Sequence, residues 1–247
     1  MKNILLIVLL FFTLNIIQSQ NLSTAPAGEA GLFGAAQGGS PMLNLVMMEL
    51  RTNSNNRYIG ETVGSPYSTE NFIKTKIFYG DEPQGDFYVR YNALNSTIEI
   101  KKSNLPDEES KSLYPDKKIK IKYLNKELRF TTYINKKKET KNGYLSQIVD
   151  GPKYKLYHRL AVKYSEGKPA INSMVADIPS RFAHFEEYYY QKIGVDRIDY
   201  LPQKKGGFIK QFDKELRESI KIYLKEENIN LDNEEDLITA FNHINSM

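Results

Sequence analysis

His184, Glu186 and Glu187, in the passage HFEE, are the closest approach in this chain to a metal or acid–base cluster. On a strand, His184 and Glu186 share one face and Glu187 points the other way. A catalytic zinc takes three protein ligands, and HFEE lacks the helical HExxH spacing, so the expectation is a surface histidine between aromatic neighbours. His158, in LYHRL, has no face assigned by its neighbours, and His243 lies close to the last residue. No serine occupies a G-x-S-x-G elbow, and with no cysteine in the chain thiol nucleophiles, zinc ribbons and thiol redox chemistry are excluded. Asp81-Glu82 and Asp150-Gly151 lack the spaced oxygen ligands of a calcium loop. No catalytic residue is assigned, and no metal or cofactor is expected.

Two surfaces are candidates for binding rather than catalysis. Residues 117–141 carry ten Lys or Arg against Glu127 and Glu139. Lys118, Lys120 and Lys122 share a strand face, with Arg129 expected nearby on the partner strand. Such a face suits an anionic polymer such as an acidic glycan, although lysine on a one-sided sheet also serves solubility and blunts edge pairing. Tyr188 and Tyr190, with Tyr200, form a candidate aromatic patch for a sugar ring or a protein, with core packing as the competing reading. The net charge of +4 is too small to imply a nucleic-acid partner.

The elements that must position these residues are mostly strands. In KKIKIKY at 117–123, Ile119, Ile121 and Tyr123 alternate with Lys118, Lys120 and Lys122, the period of a half-exposed antiparallel strand. Similar segments occur at 76–79, 86–92, 97–101, 127–133, 144–149, 154–164, 182–193 and 197–202, separated by turns rich in Gly, Asn, Asp and Pro. Residues 103–116 read as a surface loop, and 42–50 as either a short helix or a strand. After Gly206-Gly207 the period changes. Ile209, Phe212, Leu216, Ile220, Tyr223 and Leu224 predict one amphipathic helix ending at Asn228. Asp232 and Glu235 predict a capped start for a second helix burying Leu237, Phe241 and Ile244. The expected fold is α+β: a mostly antiparallel sheet, rolled or sandwich-like, with a C-terminal pair of amphipathic helices.

The N-terminus reads as a secretory signal peptide over 1–19: Lys2, the apolar run Ile4 to Phe12, and Ser19 before the cut. The run is too short to span a bilayer, so no transmembrane span is expected after leader removal, and without cysteine no lipid anchor. Residues 20–41 form a Gly/Ala-rich lead-in and 42–247 one domain, with the helix pair at about 206–247. Four passages, GSPYSTENF at 64–72, RYN at 90–92, VDGPKYKLYHR at 149–159 and the tail at 225–245, resemble a family of uncharacterised exported proteins of Gram-negative bacteria. The resemblance covers roughly residues 58–245 and implies a tail that pairs two helices. That family has no assigned activity, so it implies no mechanism. The expected function is a non-catalytic binding or scaffold protein of the cell envelope, periplasmic or extracellular, with an envelope protein or anionic glycan as partner. Two alternatives stay open: a glycan hydrolase using two carboxylates, and a carrier of a small apolar ligand in a β cavity.

Overall fold

The computed structural model describes residues 62–247 except Ser173, together with the backbone of Met47–Glu49. The expected leader and lead-in lie outside the described residues. Twelve strands follow in chain order: β1 (Met47–Glu49), β2 (Thr62–Val63), β3 (Ile73–Tyr79), β4 (Glu82–Asn92), β5 (Thr97–Lys101) and β6 (Lys111–Leu113). β7 (Ile119–Tyr123), β8 (Lys126–Ile134), β9 (Thr140–Asp150), β10 (Tyr154–Ser165), β11 (Ser180–Lys192) and β12 (Asp199–Tyr200) complete them. They form one sheet in the order β1-β6-β5-β4-β3-β7-β8-β12-β11-β10-β9, with β2 beside β11. β9 also pairs with β8, so β8, β9, β10, β11 and β12 close into a hydrogen-bonded ring. The sheet is therefore rolled. All pairings are antiparallel except β12 with β8 and β2 with β11.

Alternation in the sequence becomes two-sidedness in the sheet. Ile119, Ile121 and Tyr123 of β7 are buried while Lys120 and Lys122 are not. With Ile77, Val89, Ile98 and Ile100 they make the core of the β3–β8 region. Inside the ring a smaller core joins Tyr133, Leu145, Tyr189 and Ile198. Arg90 fixes the GSPYSTENF passage: it reaches Glu99 at 2.7 Å and lies 3.6 Å from the Tyr67 ring centre and 4.4 Å from that of Phe72.

A third core joins sheet and helices. Val149, Tyr154, Leu156 and Tyr188 from the strands bury against Phe208, Phe212, Leu224, Leu237 and Phe241. Each large apolar side chain fully removed from water there contributes about 1.5–3 kcal/mol, so the two layers stabilise each other. Three helices supply that layer: α1 (Lys205–Ile209), α2 (Arg217–Glu226) and α3 (Glu234–Ser246), with a 3-10 turn at Lys214–Leu216.

Three local expectations change. The single helix predicted after Gly206 is broken between Ile209 and Arg217. There the Asp213 carboxylate accepts from the Tyr154 hydroxyl (2.9 Å) and Lys192 Nζ (2.6 Å). The Arg217 guanidinium takes the carbonyls of Lys210 (2.9 Å) and Phe212 (3.0 Å), which no longer have helical partners. The cap of α3 is Asn233, whose side chain accepts from the backbone N–H of Asp236, one residue later than the Asp232–Glu235 pair. The stretch 103–116 contains a strand, β6, because Ser112 and Leu113 are buried where β6 joins β5 to β1. The stretch 42–50, left open between helix and strand, carries β1.

Candidate functional site

β10 and β11 pair over their whole length, from Tyr154 opposite Lys192 to Ser165 opposite Arg181. His158 stands opposite Tyr188, Leu160 opposite Glu186, and Val162 opposite His184, so all six side chains share one face. On the other side of β10, Ser146 of β9 stands opposite His158, and Leu128 of β8 stands opposite Ser146. These strands line a pocket of about 300 Å³. Its apolar wall is Tyr91, Tyr123, Leu124, Leu128, Tyr144 and Leu160. Its polar side is Ser68, Lys126, Ser146, His158, His184 and Glu186.

The polar side is a chain of mutual partners. His158 is 9% exposed and its Nε2 meets the Glu186 carboxylate. Its Nδ1 lies 3.4 Å from Lys126 Nζ, which also donates to Glu234 Oε2 at 2.7 Å. A lysine ammonium only donates, so Nδ1 accepts and the imidazole proton sits on Nε2, facing Glu186. Glu234 is the first residue of α3, where the helix dipole favours an acid, so the network pins the helix layer to β8 and β10. The His158 hydrogen bond holds the Glu186 carboxyl below its usual value, opposed by burial and helped by the ammonium charge of Lys126. Behind His158, burial and the Glu234 and Glu186 carboxylates push the Tyr188 phenol up. At the rim, His184 Nε2–H donates to the Ser65 carbonyl at 2.8 Å. Deeper in, the Tyr123 hydroxyl is held by Ser68 (2.7 Å) and Thr69 (3.0 Å). The Tyr144 hydroxyl is buried without a hydrogen-bond partner, and its phenol is pushed up by that burial.

The structure distributes the residues singled out by sequence unevenly. His184 and Glu186 do share the pocket face. Glu187 faces the ring interior, bonded to Arg159 (2.8 Å) and to the Tyr189 hydroxyl (2.8 Å). His243 stacks on Tyr223 at 3.6 Å between ring centres, a packing contact within the helix layer. Among the described residues no group of three or more His, Asp or Glu is arranged to hold a metal ion.

On the basic face Lys120 stands directly opposite Arg129. Lys120 pairs with Asp81 at 2.6 Å, and Arg129 pairs with Glu127. Lys118 and Lys122 lie over the rings of Tyr79 and Phe78. The charges of Lys120 and Arg129 are thus answered by carboxylates.

The aromatic patch requires correction. Tyr188 is buried under the helices, and Tyr190 packs there on Phe212 with its hydroxyl on Gln211. Tyr200 lies on the opposite face against Tyr189. The three do not form one surface, because successive residues of β11 alternate between faces and β12 pairs at Tyr189.

Sequence reasoning missed Lys126 and Glu234 entirely and could not place His158. Pairing LYHRL with HFEEYYY in one hairpin register is the signal that would have joined His158 to Glu186. Glu234 reads in sequence only as a helix-start acid. No known family model matches this chain, and neither a curated protein nor a solved structure matches it.

Proposed function

We propose that this is an exported, non-catalytic binding protein of the bacterial cell envelope that carries a small, largely apolar ligand in the pocket bounded by β8, β9, β10 and β11. One observation carries the reading: the pocket has an aromatic and aliphatic wall, while His158, Lys126 and Glu186 are committed to partners within one network and His184 is turned to the Ser65 carbonyl. A general base needs a nitrogen or carboxylate oxygen directed at substrate. Both nitrogens of His158 are engaged, one with Glu186 and one with Lys126, and Glu234 is engaged with Lys126. A glycosidase would need two carboxylates poised across an open bond, whereas here each nearby acid already holds a cation or an imidazole. Small-ligand sites have this character: mostly apolar, concave, with a few fixed polar groups.

Export rests on the leader-like start of the chain. Expressed with that leader in a Gram-negative host, the protein is expected in the periplasmic or extracellular fraction with Gln20 as its first residue. An uncut chain retained in the cytoplasm would contradict export. Carriage is tested by titrating the purified protein with N-phenyl-1-naphthylamine, a neutral dye that fluoresces in apolar surroundings. Saturation near one equivalent is expected, and the absence of saturable binding would overturn the reading.

A further inference from the structure

Among the described residues, five other than glycine hold a positive φ: Ser96, Leu124, Asn125, Lys138 and Asn228. Leu124 alone of these has an apolar side chain. At φ 48° it opens the two-residue turn between β7 and β8, followed by Asn125 at 63°. Such a turn demands the left-handed region at both positions, which asparagine or glycine meets at little cost and leucine does not. Burial does not compensate, because Leu124 is 53% exposed. A costly backbone state carrying an exposed apolar side chain points to a functional contact.

Leu124 stands at a seam. It lines the pocket, and it also lines a shallower groove with Ile73, Lys74, Thr75 and Lys122. Lys126 borders both, but its charge is held by Glu234, and the groove's Glu127 is held by Arg129. The groove therefore offers two ammonium groups, Lys74 and Lys122, against the single carboxylate of Glu127, which already pairs with Arg129.

We infer that the ligand is an anionic amphiphile that crosses Leu124. Its apolar body lies in the pocket against Tyr91, Tyr123 and the Leu124 side chain. Its negative end passes over the hairpin to Lys74 and Lys122. The inference rests on the reading of the pocket as a carrier site and names the class of molecule carried. Leu124 acts here as the apolar sill joining the two compartments, and the pair of lysines selects the charge.

The test compares two dyes on the full chain purified after export: neutral N-phenyl-1-naphthylamine and anionic 8-anilinonaphthalene-1-sulfonate. The wild type is expected to favour the sulfonate, with the preference shrinking as salt rises. Reversing both charges, Lys74→Glu with Lys122→Glu, is expected to weaken the sulfonate about tenfold and leave the neutral dye unchanged. Leu124→Asn is expected to weaken both dyes several-fold while Tm holds or rises. If Leu124→Asn lowers Tm and leaves both affinities intact, leucine serves the fold and the inference fails. If the charge reversals leave the sulfonate unaffected, the anionic class is wrong. Both of those failures leave the pocket reading standing, provided the wild type binds the neutral dye. A wild type that binds neither dye overturns the pocket reading itself.

Discussion

Glu186 reaches His158 with a carboxyl about half exposed to water, and that exposure limits what the contact contributes. Its pKa is lowered by the fold, so the stabilisation is present above the ordinary carboxylate range and is lost as pH falls through the lowered value. Glu186→Gln should therefore destabilise at neutral pH, by less than about 1 kcal/mol given the screening. The wild-type and variant curves should converge in acid. His158, Lys126 and His184 act on this carboxyl, so urea titrations across pH 3–8 should use His158→Gln as the second variant. A gap that widens in acid would contradict the assignment. Tyr144 gives a contrasting case, since its hydroxyl is hidden from water and has no partner. Removing such a group relieves a desolvation cost, so Tyr144→Phe should be neutral or stabilising by about 1 kcal/mol. A loss of more than that in urea unfolding would reveal a bond the hydroxyl makes. Relief of the left-handed backbone at Leu124 should gain a similar amount, about 1 kcal/mol, in Leu124→Asn.

The element that locks the helix layer in place is the end of α3. Asn245 Oδ1 accepts from the backbone N–H groups of Lys153 (3.0 Å) and Tyr154 (2.8 Å), and its Nδ2 donates to the Tyr154 carbonyl (3.0 Å). This one side chain ties the end of α3 to the backbone of the turn between β9 and β10, just beyond the Asp150–Lys155 pair that closes the strands. Asn245→Ala should cost about 1–3 kcal/mol, read as a lower urea midpoint with unchanged slope. Gly151 must stay small for the same reason: a Cβ there would stand 2.0 Å from Asn245 Nδ2. Gly151→Ala should therefore destabilise too, and the two substitutions should be far from additive because they damage one contact. A sum that adds would place the damage elsewhere. Most strands were legible in the sequence, because period-two alternation depends only on neighbours along the chain. The break between α1 and α2 was not. The apolar stripe of residues 209–224 runs through it, while the partners that hold the break include Tyr154 and Lys192, brought to Asp213 from distant strands.

The whole molecule depends on sharing side chains between its layers. Phe241 is fully buried against Phe208 and Phe212, so Phe241→Ala should cost about 3–5 kcal/mol in urea unfolding. A chain ending at Lys205 would bare Val149, Tyr154, Leu156 and Tyr188 to water and is expected not to fold. A cooperative unfolding transition from that truncated chain would contradict the shared core. The same scale explains why the site was less legible than the fold. His184 and Glu186 lie two residues apart and were placed together by strand geometry alone. Lys126 and Glu234 stand 108 residues apart, and only the closure of the sheet under the helices brings them to His158. Carriage of a ligand in this pocket should fail once the pocket is filled. Leu160 lines the pocket while only partly buried, so Leu160→Trp can occupy the space without disrupting a tight core. The decisive measurement is a titration of N-phenyl-1-naphthylamine against wild type and Leu160→Trp, with circular dichroism showing both folded. Saturable binding by the wild type is expected, and in the variant it should be lost or weakened at least tenfold. Equal affinity in the two proteins would contradict carriage in this pocket.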